Sequence, residues 1–239
     1  MIDSIDVIGA RGRVGGAVSE RLAERGVSLD ALEPDLVLLC VPDRAIAEVA
    51  AAVAPGPWIA HVSGATGLAA LEPHTRRFSM HPLQTFTKAR GAEQLDGAWA
   101  AVTADDAEAL ATGFWLAETL GLRPFKLDDA GHAAYHAGAA MASNYLVTLR
   151  AAAGRLFEAA GAPPEALDPL MRRVIENEFE LTGPIARGDW ETVERHLGAI
   201  REHAPELTDL YLVLAEATAA IAGRELPSVT LAQAVEGTP

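Results

Sequence analysis

The sequence has a marked shortage of positive charge. It contains 19 Lys and Arg against 33 Asp and Glu, which gives a formal net charge of −14 at pH 7. Nucleic-acid-binding proteins carry a basic stripe that displaces counterions from phosphates, and an anionic membrane surface makes the same demand. We therefore expect neither a nucleic acid nor a membrane as a partner of this protein.

Cysteine and long apolar runs are also scarce. Cys40 is the single cysteine, so no disulfide forms within the chain, and its place in the apolar run 36–41 favours a small buried side chain. No apolar run is long enough to cross a bilayer, and the N-terminal residues lack the basic and apolar regions of a secretory signal. These features predict a soluble, cytoplasmic protein.

The first 128 residues alternate short apolar segments with helical patterns, which is typical of an α/β unit. The run Leu36–Val41 is apolar throughout, as expected of a strand in a parallel sheet that helices cover on both faces. The predicted strands are residues 5–8, 36–41, 58–62, 78–80, 99–103 and 123–127, and the predicted helices are residues 14–25, a segment ending near 53, and 105–120. This order predicts a Rossmann-like parallel sheet.

Strand patterns stop after Asp128, and the rest of the chain is patterned as helices separated by Gly and Pro. The predicted helices are residues 129–160, 164–181, 189–203 and 205–223. We therefore expect a truncated Rossmann-like nucleotide-binding domain at 1–128, an all-α domain at 129–223 and a tail at 224–239. Small residues at the start of the long helix and abundant apolar positions favour a homodimer formed through the helical domain.

A glycine-rich segment joins the first strand to the first helix, where dinucleotide-binding proteins hold phosphates. Its spacing, G-x-x-G-x-x-G, is one residue longer than the usual fingerprint, and Arg11 is the candidate insertion. A tight turn that binds no ligand would have the same pattern, so this alternative stays open. The candidate cofactor-binding residues, here and at the end of the strand 36–41, are Gly9, Arg11, Gly12, Arg13, Val14, Gly15, Val41, Pro42 and Asp43.

The acidic residue that holds the adenosine ribose should end a second strand about 20 residues after the glycines. Asp35 has roughly this offset, but it opens the strand at Leu36, and Asp30 ends a short stub at 27–29. Neighbouring parallel strands need a crossover of about a dozen residues, and 30–35 is too short to supply it. The usual second strand and its helix are therefore predicted to be deleted, which removes much of the adenosine platform.

Six motifs in family order cover most of the chain. They are 35–43 (DLVLLCVPD), 61–65 (HVSGA), 79–86 (SMHPLQTF), 134–137 (AYHA), 143–146 (SNYL) and 181–189 (LTGPIARGD), with His196 beyond them. On these residues the chain resembles bacterial Rossmann-like proteins with a C-terminal domain of unknown function 2520, in the 6-phosphogluconate dehydrogenase superfamily. Their distant relatives are pyrroline-5-carboxylate reductase, prephenate dehydrogenase and ketopantoate reductase. The resemblance implies a helical dimerisation domain, a cleft beside it, and NADP or NAD as the cofactor of an oxidoreductase.

Two departures from that family pattern concern chemistry. Members that resemble working dehydrogenases keep the second strand, where the preference for NAD or NADP is set, and this chain does not. Several superfamily enzymes carry a Lys one helical turn before the Asn of the long helix, whereas this chain has Ala140 four residues before Asn144. The proton-transfer Lys of those enzymes is therefore absent.

Polar side chains follow two of the predicted strands, at the sheet edge where open α/β proteins bind ligands. His61 and Ser63 follow one strand, and His81 and Gln84 follow the next. His61, Ser63 and Gln84 are candidate substrate-binding residues, and His81 is a candidate catalytic acid or base. The alternative is that these groups cap strand ends and brace a loop.

The long predicted helix carries a polar stripe among small residues. His132, His136 and Ser143 fall within about 40° of one another on a helical wheel, and Asn144 lies about 80° from His136. In a cleft, His136 would relay a proton and Asn144 would orient a carbonyl or nicotinamide, and both are candidate catalytic residues. At a dimer contact the same groups would be satisfied and buried. Both interpretations stay open.

Arg187 lies in a predicted turn between helices. It would either bind an acidic substrate through both guanidinium nitrogens or bridge to Asp189. A metal site is not predicted, because Asp128 and Asp129 fit a helix start and the nearby histidines lack a further ligand.

Together these residues predict an NAD(P)-dependent oxidoreductase-like protein that acts on a small, anionic metabolite, with hydride passing to a carbonyl or imine. The rival hypothesis is a catalytically degenerate Rossmann-like protein. It would hold a smaller phosphorylated ligand or a protein partner and carry out no redox chemistry.

Overall fold

A computed structural model describes residues 2–29 and 31–227 of the chain. Contacts divide the chain into two compact units, residues 1–143 and 144–239. The division falls inside the long helix, beyond the boundary at 128 that the sequence predicts. Asp30 and residues 228–239 of the predicted tail lie outside the described residues.

The first unit contains a six-stranded sheet. In spatial order the strands are β1 (Ile5–Ile8), β2 (Leu36–Leu39), β3 (Trp58–His61), β4 (Arg77–Leu83), β5 (Trp99–Ala104) and β6 (Arg123–Lys126). Every predicted strand is present, and the Rossmann-like α/β fold class is confirmed. One strand pair differs from the fully parallel prediction, since β4 and β5 run antiparallel. The connection 84–98 holds only a short 3₁₀ segment, so no helix carries the chain back for a parallel crossover.

Helices cover both faces of the sheet, and alternate strand residues feed two separate apolar clusters. On one face, α1 (Arg13–Glu24) and α3 (Ala107–Thr119) pack with Leu38. On the other face, α2 (Ile46–Ala52) packs with Leu39. All four residues of β2 are therefore buried, as its uninterrupted apolar run predicts.

The usual second strand of the fold is reduced to one bridge beside β1. Ser28 pairs with Ser4 in parallel fashion, and its carbonyl accepts a hydrogen bond of 2.8 Å from the Ile5 amide. The described residues between this bridge and β2, residue 29 and residues 31–35, form neither helix nor strand. The predicted deletion of the second strand and its helix is confirmed in this part of the chain.

Asp35 is fastened at the amino end of β2. Its carboxylate accepts hydrogen bonds from the amides of Asp3 (2.9 Å) and Ser4 (3.0 Å) and from the Ser4 hydroxyl (2.9 Å), and these bonds lower the pKa of Asp35. The carboxylate thus joins β1 to β2 at the end of the sheet opposite the glycine turn, residues 9–12 between β1 and α1. A cavity of about 1230 Å³ adjoins this end, with Trp58 and Trp115 in its wall, and none of the predicted site residues lines it.

The chain after β6 is helical. The helices are α4 (His132–Ala159), α5 (Leu167–Glu176), α6 (Pro184–Arg187), α7 (Trp190–His203) and α8 (Thr208–Ile221). The prediction that one helix runs to residue 181 is wrong, because Glu178 and Phe179 adopt φ values of 54° and 62°, which an α-helix does not allow. The turn predicted around Pro184 contains α6, where proline suits the first helical turn. Within the described residues, no helix is both long and apolar enough to cross a bilayer.

The packing of α1 on the glycine turn gives a stability prediction. A Cβ added at Gly15 would lie 2.2 Å from the Gly9 carbonyl oxygen, whereas one added at Gly16 would meet nothing closer than 3.5 Å. We expect Gly15→Ala to lower the free energy of unfolding by about 1–3 kcal/mol, the usual cost of overpacking. Gly16→Ala should raise it by up to about 1 kcal/mol through helix propensity.

Urea denaturation of both variants beside the parent chain measures this difference. Equal stability of the two variants would show that the turn does not lie as tightly against α1 as described.

Candidate functional site

The glycine turn leaves backbone donors at the start of α1. Gly9 has a φ of 98°, and a Cβ there would lie 2.3 Å from the Cys40 carbonyl oxygen, so the turn contacts the end of β2. Gly12 caps α1, whose first hydrogen bond runs from the Gly16 amide to the Gly12 carbonyl. The amides of residues 13–15 have no partner within the helix, and such amides suit an anion.

The remaining cofactor candidates lie around this turn. Arg11 and Arg13 have exposed side chains, and no acidic residue occupies the first turn of α1. Val41, Pro42 and Asp43 follow Cys40 directly, where the turn contacts β2. The surroundings are therefore favourable for phosphate groups at the carboxyl ends of β1 and β2.

Cys40 itself is no nucleophile. Burial raises the pKa of its thiol to about 12, so the thiolate is absent at neutral pH. The side chain is partly buried against the first apolar cluster, rather than fully buried as the sequence predicts.

His61, the last residue of β3, is fully buried and held as a neutral imidazole. Its Nδ1 accepts a hydrogen bond of 3.2 Å from the Ser63 amide, so Nε2 carries the proton. No group in the described residues bonds to that Nε2–H with acceptable geometry. Desolvation, aided by the nearby His132, lowers the pKa of His61 to about 4, against an opposing effect of the Gly67 backbone.

Ser63 and Gln84 brace loops. The Ser63 hydroxyl accepts hydrogen bonds from the amides of Ala65 (3.2 Å) and Thr66 (3.1 Å), which folds the segment after β3. The Gln84 side chain donates to the Gln94 carbonyl (3.1 Å) in the connection between β4 and β5. For these two residues the geometry favours the bracing interpretation over direct substrate contact.

His81 lies inside β4, so its predicted place in a loop after that strand is wrong. Its ring lies over Gly64, where an added Cβ would be 2.8 Å from Cε1. Nδ1 lies 2.8 Å from the Tyr135 hydroxyl, and the two rings meet edge to face at 5.5 Å between centroids. Desolvation, with a further contribution from His136, lowers the pKa of His81 to about 4. His81 is therefore neutral at pH 7.

A row of polar residues crosses three neighbouring strands on one face of the sheet. His61 on β3 is in register with Ser79 on β4, which is in register with Thr103 on β5, and all three are buried. His81, two residues beyond Ser79, lies on the same face. The sequence predicts the histidines, but it does not reveal that they share this row.

The start of α4 is fastened over this row by His132. Its Nδ1 lies 3.0 Å from the Gly64 carbonyl oxygen and its Nε2 lies 3.1 Å from the Thr103 hydroxyl. Asp129, just before α4, accepts a hydrogen bond of 2.9 Å from the Leu68 amide. His132 is thus a buried structural residue held by contacts within its own unit, and the dimer contact of the second interpretation stays a prediction.

The other residues of the polar stripe make fewer contacts with the row. His136 is exposed, and its ring meets that of His81 edge to face with the centroids 6.2 Å apart. The Ser143 hydroxyl donates a hydrogen bond of 2.7 Å to the Ala139 carbonyl of the same helix. Asn144 belongs to the second unit and is exposed. Tyr135 was missed by the sequence analysis, although its spacing of three residues from His132 places both on one side of a helix.

Arg187, at the end of α6 in the second unit, has an exposed side chain. It forms no ion pair with Asp189, whose carboxylate instead caps α7 by accepting from the Thr192 amide (3.2 Å) and hydroxyl (2.9 Å). Residues 2–29 and 31–227 contain no group of three or more His, Cys, Asp or Glu side chains arranged to hold a metal ion.

Two family models match the chain. A Rossmann-like domain matches residues 17–85, and the domain of unknown function DUF2520 matches residues 98–218, just over half of the chain. The chain belongs to the DUF2520 family. A search of curated proteins gave no match.

Solved structures share the fold over nearly the whole chain. An inferred NADP oxidoreductase from Bacteroides fragilis is 20% identical with a TM-score of 0.76, and a protein from Thermotoga maritima is 25% identical with a TM-score of 0.75. Each likeness covers 92% of this chain and 98% of the other. A 1-pyrroline-5-carboxylate reductase from Streptococcus pyogenes is 16% identical over 92% of this chain and 97% of that chain, with a TM-score of 0.58. These likenesses show that the chain shares its fold with proteins that include oxidoreductases.

The buried neutral His61 predicts a loss of stability in acid. The unfolded chain binds a proton at His61 below about pH 6.5, whereas the folded chain resists protonation down to a pKa of about 4. Stability from this group is therefore complete above pH 6.5 and is lost as the pH falls towards 4, by up to about 3 kcal/mol.

We expect His61→Asn, which does not titrate, to show a weaker decline in unfolding free energy between pH 7 and pH 4.5 than the parent chain. His203→Asn removes a more exposed histidine and serves as the control. Urea denaturation at both pH values measures the decline, and an unchanged decline in His61→Asn would contradict the assignment.

Proposed function

We propose that the protein is an NAD(P)-dependent oxidoreductase that acts on a small, anionic metabolite. The observation that carries the proposal is the glycine turn, whose free helix amides and arginines lie at the carboxyl edge of a Rossmann-like sheet. NADP or NAD, when bound, supplies or accepts the hydride. The residues present fit its phosphates, whereas the adenosine ribose finds no carboxylate at the end of a second strand.

In this proposal the glycine turn and the turn Val41–Asp43 would hold the cofactor. His81 faces the substrate and polarises its carbonyl or imine as a neutral donor, and His136 relays the proton. Asn144 and Arg187 lie in the second unit, and their roles stay predictions. We assign Ser63 and Gln84 to loop bracing, and we propose that His61 supports the segment after β3 that Ser63 folds.

A second candidate function is favoured by the reduced second strand. Since Ser28 forms only one bridge and Asp35 is bound to residues 3 and 4, much of the adenosine platform is missing. A protein with this defect would hold a smaller phosphorylated ligand at the glycine turn, or a protein partner, without redox chemistry.

Calorimetric titration separates the two functions. We expect NADPH or NADH to bind with a micromolar dissociation constant, and Arg11→Ala to weaken binding by about tenfold through loss of a charge-assisted phosphate contact. Arg25→Ala removes the same charge from an exposed position at the other end of α1 and should change little.

The outcomes divide clearly. No binding of either dinucleotide up to millimolar concentration, with binding of inorganic pyrophosphate that Arg11→Ala weakens, would replace the oxidoreductase by the second candidate. If Arg11→Ala and Arg25→Ala change the dissociation constant equally, the glycine turn is not the binding site in either function.

We also propose that the helical unit forms a homodimer. Large apolar side chains are exposed there, among them Val147 (70%), Phe179 (71%), Val213 (65%) and Ile221 (78%). Exposed apolar groups of this number on one unit are typical of an interaction surface.

Sedimentation velocity tests the dimer. We expect twice the mass of the chain, and Val213→Asp should shift the protein towards the monomer because a charge would be buried in the interface. Leu32→Asp, at a fully exposed apolar position of the first unit, is the control. A monomeric parent protein would refute the proposal.

A further inference from the structure

Tyr135 touches the one histidine of the row that keeps an accessible nitrogen. Its hydroxyl lies 2.8 Å from His81 Nδ1 and has no other hydrogen-bond partner in the described residues. The opposite ring nitrogen of His81, Nε2, makes no hydrogen bond there and, unlike Nε2 of His61, is not sealed from solvent. One nitrogen of His81 is therefore held, and the other is available.

We propose that Tyr135 is a positioning residue that fixes His81 as the Nε2–H tautomer, so that His81 meets its substrate as a hydrogen-bond donor. The inference rests on the proposed function and narrows its substrate class. The substrate atom that meets His81 is an acceptor, such as a carbonyl oxygen or an imine nitrogen, rather than a hydroxyl or amine that must lose a proton to it.

The direction of the hydrogen bond follows from the partners on each side. Half-burial raises the pKa of Tyr135 to about 12, so its phenol keeps its proton at neutral pH. His81 Nδ1 is the acceptor within reach of that proton, and an acceptor nitrogen on a neutral imidazole requires the hydrogen on the other nitrogen. If Nδ1 donated instead, the phenol proton would have no protein partner in the described residues.

The ring of His81 is also fixed from its other sides. Gly64 lies beneath it so closely that a Cβ would come within 2.9 Å of Nδ1, and His132 holds the Gly64 carbonyl in place. The rings of Tyr135 and Phe125 meet edge to face with their centroids 6.0 Å apart, which limits the movement of Tyr135. The ring therefore cannot turn freely, and Nδ1 stays beside the Tyr135 hydroxyl.

The charged and titratable groups around His81 are compatible with this tautomer. His136 and His132 on α4 and His61 on β3 disfavour a second proton on the His81 ring. Asp43, after β2, favours that second proton. The balance keeps His81 neutral at pH 7, which leaves the choice of tautomer to its hydrogen bond with Tyr135.

Nitrogen-15 NMR of the histidine rings in the protein without cofactor tests this inference directly. At pH 7 we expect His81 Nδ1 to resonate as a hydrogen-bonded, unprotonated nitrogen and Nε2 as a protonated one. In Tyr135→Phe, the ratio of the Nε2–H to the Nδ1–H tautomer should fall about fivefold, the factor that a hydrogen bond of average net strength supplies. A merely structural tyrosine would not change this ratio.

The chain offers a matched control in its second unit. Tyr211 bonds to His196 Nδ1 at 2.9 Å with the same edge-to-face ring geometry, so Tyr211→Phe removes an equivalent hydroxyl elsewhere. It should change the signals of His196 and leave those of His81 as they are. A protonated Nδ1 on His81 in the parent protein, or an unchanged tautomer ratio in Tyr135→Phe, would overturn the inference.

Gly64→Ala provides a second variant that keeps the tyrosine. Its Cβ would displace the His81 ring from Tyr135, so it should reproduce the tautomer change. Because these measurements need no cofactor, their failure is distinct from a failure to bind NADPH. If NADPH binds, Tyr135→Phe should leave its dissociation constant unchanged.

Discussion

The candidate site depends on one buried histidine. His132, at the first turn of α4, lies within hydrogen-bond distance of the Gly64 carbonyl and the Thr103 hydroxyl, and that hydroxyl also lies 2.8 Å from the Leu127 carbonyl oxygen. This chain of bonds holds the segment after β3 against the sheet. Gly64 lies directly under the His81 ring. The same bonds therefore also position the His81 ring.

The burial of this polar row also explains its electrostatics. His61 and His81 lie close enough to be influenced by the same carboxylate, Asp43, yet desolvation and neighbouring imidazoles outweigh it and lower both pKa values to about 4. A neutral His81 suits a site that donates a hydrogen bond without carrying a full positive charge. That chemistry is compatible with polarising a carbonyl or imine.

The sheet was predictable because its signals are local. An apolar run such as 36–41 identifies a buried strand by itself, and a count of residues after Gly15 reveals the missing second strand. The place of His81 was not predictable, since Pro82 normally ends a strand, whereas here it continues β4 opposite Ala100. Tyr135 was missed because its partner lies 54 residues away, and no local pattern encodes that contact.

The single bridge at Ser28 makes β1 an outer strand of the sheet. Outer strands expose backbone groups that recruit other chains and promote aggregation. Here the exposure is small: β1 has four residues, its Ile5 amide bonds to Ser28, and its Val7 carbonyl accepts from Ala10 at 3.2 Å. The shortened fold thus leaves a sheet border too brief to template the addition of a foreign strand.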